Sequence, residues 1–377
     1  ILTLSWRDPK HPTAGGAEQV MHEHMKGWIE AGHKVTLFSS RIKGLPDKEI
    51  LSGIEIIRKG DQYLGVKITA FFFWLTNKKN YDFVVDQFHG IPFFTPLYIN
   101  KPKLAVLQEV AKRVWFLNEL PIPFNWIIGL LGYLLEPVIF LFYKKVPFMV
   151  GSESAKNDLI KFGISSRNIA IVPHGVIVQK PNPFPKKEKI KTTIFLGALA
   201  KDKGIEDAIK VFSLLNKEGK YNFWVIGRGG ENYVNKLLSM CNKLGLDNKV
   251  KFWGFVSDHQ KFELLARAHV LINPSVHEGW GLVNIEANCV GTPVVAYNSA
   301  GLIDSVKNGE SGKIVEKRIP EELAREVINI LSNNKNYYKL VNSSIVWANK
   351  FSWEESKQKS LKYINMIANH EQKSIKI

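Results

Sequence analysis

Short apolar runs alternate with stretches in which apolar residues recur every three or four positions along most of the chain. The runs at 1–5, 34–39, 81–85, 103–107, 148–152 and 169–172 read as buried strands, as do 192–196, 223–226, 250–253 and 270–273 further on. Between them lie helical stripes. Val20, Met21, Met25, Trp28 and Ile29 share one face of a helix that ends at Gly32, and Leu264, Leu265 and Ala268 share another. A helix over 282–290 stops at Gly291-Thr292-Pro293, and Trp353, Leu361, Tyr363, Ile364 and Ile367 mark a last amphipathic helix. Strands alternating with helices predict an α/β fold with two doubly wound Rossmann-like domains. The first covers 1–172; a proline- and lysine-rich linker without periodicity covers 173–190; the second domain covers 191–350 and the terminal helix 351–377.

The stretch most informative about chemistry follows the 270–273 strand. Glu286 lies on the apolar side of its helix, where its neighbours are Leu282, Val283, Cys289 and Val290, none of them basic. A buried carboxylate without a partner is costly, so a polar group is expected to meet it, and the vicinal hydroxyls of a sugar or ribose would do so. Glu278 precedes Gly279 and Gly281, which let the backbone approach a ligand and leave N–H groups open at the helix start, where a phosphate would dock. Together these residues point to a nucleotide-diphosphate sugar. The competing readings are a solvated glutamate at a frayed helix rim and an ordinary strand-to-helix turn.

Pro274, Ser275, Glu278, Gly279, Gly281 and Leu282, then Glu286, then Gly291 to Val295 resemble the signature of retaining glycosyltransferases of the GT-B fold. That large family includes sucrose and trehalose synthases and bacterial mannosyltransferases. The resemblance is strong over 191–316 and looser before, and it implies two Rossmann-like domains facing across a cleft, with the last helix packing back on the first domain. It implies that Glu286 binds the ribose and Glu278 the donor sugar, with Gly279, Trp280, Gly281 and Leu282 against sugar and diphosphate. Lys203 and Arg228 would neutralise the diphosphate, Val256 would meet the base through its backbone, and Gly15 and Gly16 would close from the other domain. Glu278 is expected to position the sugar more than to act as a nucleophile, since front-face departure needs none. Two departures stand out: Ala198 replaces a frequent arginine, leaving Lys201 as a substitute, and Gln108 stands where histidine is common.

In parallel α/β sheets ligands gather beyond the carboxyl ends of strands. That places His89 as a catalytic candidate beside Glu278 and Lys203, and Gln108, Glu109, Lys112 and Arg113 as candidates on the acceptor side. Aspartate-rich metal motifs are missing, so neither metal nor cofactor is expected, with a UDP- or GDP-sugar as donor substrate. The glycines at 227–230 match a dinucleotide fingerprint only loosely.

Composition adds three things. Two distant cysteines, Cys241 and Cys289, argue against a disulfide framework and for a reducing, cytoplasmic setting. A net charge of +16 favours acidic partners, whether nucleotide diphosphates, anionic membrane, phosphorylated acceptors or nucleic acid, and does not choose among them; with the resemblance above, nucleic acid is not expected. The chain opens inside a strand-like run without methionine, which points to a few missing residues ahead of it. The apolar run 124–142 is close to the length of a membrane span but is interrupted by Asn125, Glu136 and Pro137. Buried helices are the favoured reading. Contact with the inner face of a membrane is a further one, supported by Lys144 and Lys145 and by the aromatic run 68–75 before Lys78 and Lys79.

The function expected is therefore hexose transfer, with retention, to a glycan or lipid-linked acceptor. The alternatives are a nucleotide-sugar epimerase or phosphorylase of the same fold, the latter needing a pyridoxal-phosphate lysine, and a degenerate protein that binds nucleotide sugar without turnover. A nucleic-acid binder would show steep salt dependence.

Overall fold

A computed structural model of the protein describes residues 1–88, 90–117, 121–176 and 179–374, without the side chains of Arg113 and 370–374. The chain divides into two compact units, Ile1–Gly175 with Ser352–Ile377, and Val176–Phe351. Unit 1 runs β1 (Leu2–Leu4), α1 (Gly16–Glu30), β2 (Thr36–Ser39), β3 (Lys48–Leu51), β4 (Ile54–Arg58), α2 (Gly65–Asn77), β5 (Val84–Phe88), β6 (Lys103–Leu107), α3 (Phe124–Phe142), β7 (Phe148–Val150), α4 (Glu153–Lys161) and β8 (Ile169–Ile171). Unit 2 runs β9 (Lys191–Leu196), α5 (Ile205–Glu218), β10 (Tyr221–Ile226), α6 (Glu231–Lys243), β11 (Val250–Gly254), α7 (Asp258–Arg267) and β12 (Val270–Asn273). It continues through α8 (Leu282–Cys289), β13 (Val294–Tyr297), α9 (Leu302–Ser305), β14 (Gly312–Val315), α10 (Pro320–Ser332) and α11 (Asn334–Ala348), and α12 (Trp353–Ser374) then returns to unit 1.

Sheet 1 has the order β3-β4-β2-β1-β5-β6-β7-β8, parallel except for the β3–β4 hairpin. Alternate residues of β6 divide its faces: Leu104 and Val106 pack with α1 and α12, whereas Ala105 and Leu107 pack with Phe140 of α3 and Leu159 of α4. The register of β5 on β6 sets Asp86 beside Ala105 and Phe88 beside Leu107, so Val84, which packs against Val66 and Ala70 of α2, belongs to the α3 face. α2, α3 and α4 thus cover one face. On the other, the indole N–H of Trp28 in α1 donates to Ser360 Oγ of α12 at 2.9 Å.

Sheet 2 is wholly parallel, in the order β11-β10-β9-β12-β13-β14. This is the doubly wound 3-2-1-4-5-6 order, whose direction of winding reverses between β9 and β12. Its core is apolar on both sides because helices cover both faces: Phe223 and Val225 pack with α5, Trp224 and Ile226 with α7.

Three sequence expectations change. The β3–β4 hairpin has no counterpart in the sequence reading, because the edge strand Lys48–Leu51 alternates exposed and half-buried residues without an apolar run. The segment expected as a linker is tied into unit 2: half-buried Lys187 donates to Ala268 O at 2.6 Å and Thr292 Oγ1 at 2.8 Å, and desolvation of its ammonium pulls it down to about 7. The expectation of buried helices over 124–142 is overturned. α3 runs unbroken through Pro137, and of its residues only Gly129, Glu136 and Phe140 are buried.

Candidate active site

In doubly wound sheets the crevice beyond the carboxyl ends of the two strands at the winding reversal receives the ligand. In unit 2 those strands are β9 and β12, and the loops that follow them carry Lys203 and Glu278. The two side chains meet there: Lys203 Nζ lies 2.9 Å from Glu278 Oε1, which also accepts from Ser275 Oγ at 2.9 Å, while Asp202 Oδ2 is 3.6 Å from the same ammonium. Both members of the pair are partly exposed, as a ligand-binding pair must be.

Glycine lets the loops crowd together. Gly281 is the N-cap of α8 with φ 82°, and a side chain at Gly301 would strike the carbonyl of Glu278 at 2.1 Å. At Gly227 a Cβ would lie 1.8 Å from the carbonyl of Gly197. A buried relay fixes the 274–281 loop from beneath. Asn273 Nδ2 donates to Asn284 Oδ1 at 2.8 Å, Asn284 Nδ2 donates to Ser305 Oγ at 2.9 Å, and Ser275 N–H donates to Asn273 Oδ1 at 3.2 Å. Gly279 and Leu282 are half-buried, but the Trp280 ring turns inward, packing on Phe351 at 5.1 Å between ring centres. Only the backbone of Trp280 remains for a ligand.

Glu286 has a partner that the expectation of an unmatched carboxylate did not include. Lys261 reaches it from α7, Nζ to Oε1 at 2.7 Å, and also touches Asp258 at 3.0 Å. Burial still pushes the Glu286 carboxyl above its usual range, with Lys261 opposing. The Lys261 ammonium is held above its ordinary value by Glu286 and Asp258 against the opposing effect of burial. Its signal is in the sequence: Lys261 stands three and four positions before Leu264 and Leu265, on the inward face of α7. Arg228 is exposed and stacks its guanidinium 3.7 Å from the centre of the Phe255 ring, next to half-buried Val256. Lys201 is exposed in the turn that carries Lys203.

Unit 1 reverses its winding between β1 and β5. Gly15 and Gly16, after β1, are exposed at the start of α1. The N–H of Gly15 donates to the chain's own Glu18 at 2.7 Å, and Arg7 Nε reaches the other Glu18 oxygen at 3.0 Å. Arg7 is a cation that the sequence reading passed over. His89, after β5, and the side chain of Arg113 lie outside the described residues. Gln108 Oε1 pairs with His174 Nε2 at 2.8 Å, and Glu109 beside it is half-buried. Lys112 is committed within the fold: its ammonium pairs with Asp158, and its N–H donates to Glu136 at 2.8 Å.

His24 and His174 lie side by side, ring centres 6.4 Å apart, and neither ring nitrogen of His24 has a hydrogen-bond partner among the described residues. Burial pulls both imidazoles down to about 3 from an unfolded value near 6.5. Between those values the unfolded chain binds more protons, so unfolding gains as pH falls. The contribution is complete above about pH 6.5 and is lost towards pH 3, about 2 kcal/mol per group by pH 5. Raised carboxyls of buried Asp86 and Glu136 work in the opposite direction. Urea midpoints at neutral and mildly acid pH should therefore drop with acid, and His24→Leu should flatten the slope; an unchanged slope would refute the assignment.

The sequence family described as Glycosyl transferases group 1 matches residues 178–346, and Glycosyltransferase Family 4 matches residues 14–180. An uncharacterised glycosyltransferase of Methanocaldococcus jannaschii is 32% identical over 165 residues, 44% of this chain and 42% of its own length. The chain thus spans about two fifths of that relative. Sucrose-phosphate synthase from Thermosynechococcus elongatus superposes with a TM-score of 0.80 at 18% identity, covering 98% of this chain and 99% of its own. Anabaena HepE, solved in complex with UDP and glucose, superposes with a TM-score of 0.73 at 17% identity, covering 97% of this chain and 100% of its own. These two likenesses are of fold.

Proposed function

Because the chain belongs to the GT-B glycosyltransferases, we propose that it transfers a hexose, with retention and without a metal, from a nucleotide-diphosphate sugar to a glycan or lipid-linked acceptor. The observation that carries this reading is the Lys203–Glu278 pair at the winding reversal of sheet 2, with the buried carboxylate of Glu286 on the helix that follows.

Each group has a task in the reaction. As the glycosidic bond to the diphosphate breaks, negative charge grows on the leaving oxygen. A fixed ammonium at Lys203 and the N–H groups at the start of α8 stabilise it there. Glu278 accepts hydrogen bonds from sugar hydroxyls, which compete with Lys203 and Ser275 for its oxygens. Glu286 accepts from the ribose hydroxyls, with Lys261 holding one oxygen in place. Arg228 swings off Phe255 to reach phosphate. A uridine donor has the support of the UDP-bound HepE fold, and the buried free thiols of Cys241 and Cys289 suit a reducing cytoplasm.

A thermal-shift panel of UDP-, GDP- and ADP-sugars tests the reading. One donor should raise the melting temperature, and the product made from it should keep the anomeric configuration by NMR. A flat panel would refute it, and isomerisation of the donor without acceptor would reassign the protein to an epimerase.

A further inference from the structure

Among the described residues, the outer surface of α3 is largely uncovered, apart from Phe116 against Trp126 and Tyr133 and Phe94 against Phe142. Its inward stripe is Gly129, Gly132, Glu136, Phe140 and the following Tyr143, spaced as one face of a helix. A Cβ at Gly129 or Gly132 would press into Phe116 at 2.6 Å or Trp115 at 2.4 Å. Glu136 accepts the N–H groups of Ala111 and Lys112 at 2.6 and 2.8 Å, Phe140 stacks on Phe162, and the Tyr143 hydroxyl donates to Asp86. The remaining sides are apolar and open: Trp126 is 63% exposed, Leu130 51%, Leu134 58% and Leu141 53%.

α2 lies on the same face of sheet 1 and behaves alike, with Ile68, Phe72 and Leu75 exposed. The segment after β5 joins the two patches, Phe94 meeting Phe142 of α3 while Tyr98 meets Phe71 of α2. Exposed lysines mark where each helix ends, Lys78 and Lys79 after α2, Lys144 and Lys145 after α3.

We infer that this face docks on an anionic lipid bilayer, with α3 lying in the interface and sunk to its inward stripe. The occupant follows from shape and charge. Apolar residues surround α3 on three sides, which acyl chains can fill and one rigid protein face cannot. Lysines at the helix ends match anionic headgroups in a chain of net charge +16. Trp126 and Tyr133 are amphipathic rings of the kind that favour headgroup level. Crossing the bilayer is ruled out by the fold. β6 and β7, which α3 connects, are paired in one sheet, and the stripe from Gly129 to Tyr143 is spent on unit 1 itself. The inference stands on this surface and survives a different reading of the transfer chemistry.

The test is flotation of the full chain with phosphatidylcholine vesicles, with and without phosphatidylglycerol. The protein should float with the mixed vesicles, and Lys144→Ala with Lys145→Ala should weaken binding on the order of tenfold. Leu130→Glu with Leu134→Glu should abolish flotation while leaving the melting curve and the thermal shift with donor sugar intact, which separates failure of this face from failure of the donor site. Should that pair disturb folding, Leu130→Cys carrying a polarity-sensitive dye serves instead, since both natural cysteines are buried; its emission should shift to the blue on mixed vesicles. Absence of flotation, an unshifted dye, or a dimer abolished by the same glutamates would overturn the inference, the last by making a second copy the occupant.

Discussion

Glu286→Ala is expected to weaken nucleotide-sugar binding by about a hundredfold, the worth of two hydrogen bonds to a carboxylate, and also to destabilise unit 2. The second effect comes from Lys261. Removing the carboxylate leaves the half-buried Lys261 ammonium with only the exposed Asp258 as a charged partner among the described residues, a loss worth about 1–3 kcal/mol. A loss of binding by the single variant could therefore come from loosened packing alone. The double replacement Glu286→Ala with Lys261→Met separates the two, because an apolar side chain can fill the space without stranding a charge. Urea melts of the double variant should recover much of the lost stability, while titration calorimetry should still find the donor bound weakly. Recovered affinity in the double variant would remove Glu286 from the ribose and leave it a structural partner of Lys261.

Lys203→Ala is expected to act on rate. Its partner Glu278 is partly exposed and also held by Ser275, so the pair contributes little to stability, under about 1 kcal/mol. An ammonium facing the departing diphosphate matters most when charge develops there. Its removal should lower kcat by about a hundredfold to a thousandfold with a smaller change in KM. Lys203→Arg should restore part of the rate, incompletely, because a planar fork presents its charge differently from a point ammonium. Steady-state kinetics on the donor chosen by the thermal-shift panel decide it. Equal losses in donor affinity and kcat/KM at unchanged kcat would make Lys203 a ground-state ligand only.

Much of the candidate site in unit 2 was legible in the chain. Glu278 and Glu286 stood out because a carboxylate on an apolar stripe or in a glycine loop contradicts its surroundings, and such contradictions are visible in a linear pattern. Lys261 carries the same kind of signal, but its meaning depends on which helix lies beside α7, and periodicity does not say that. Lys112 shows the converse. A cation after a strand end reads as a site residue until the fold pairs it with Asp158 and Glu136, which lie 46 and 24 positions away. α3 was misread for a related reason: a run of apolar residues states that water is avoided and leaves open what replaces it.

Apolar runs and stripes, set by local backbone periodicity, were enough to determine two α/β halves, the helix after Gly281, the anomalous carboxylate of Glu286 upon it and that of Glu278 in the loop before it. Contacts distant in sequence decided the rest. Strand order placed Lys203 and Glu278 at one winding reversal, α7 brought Lys261 onto Glu286, and sheet 1 took only one stripe of α3 into its core. Each depends on which elements become neighbours, a choice made by burying whole faces together and not by any residue's own preference.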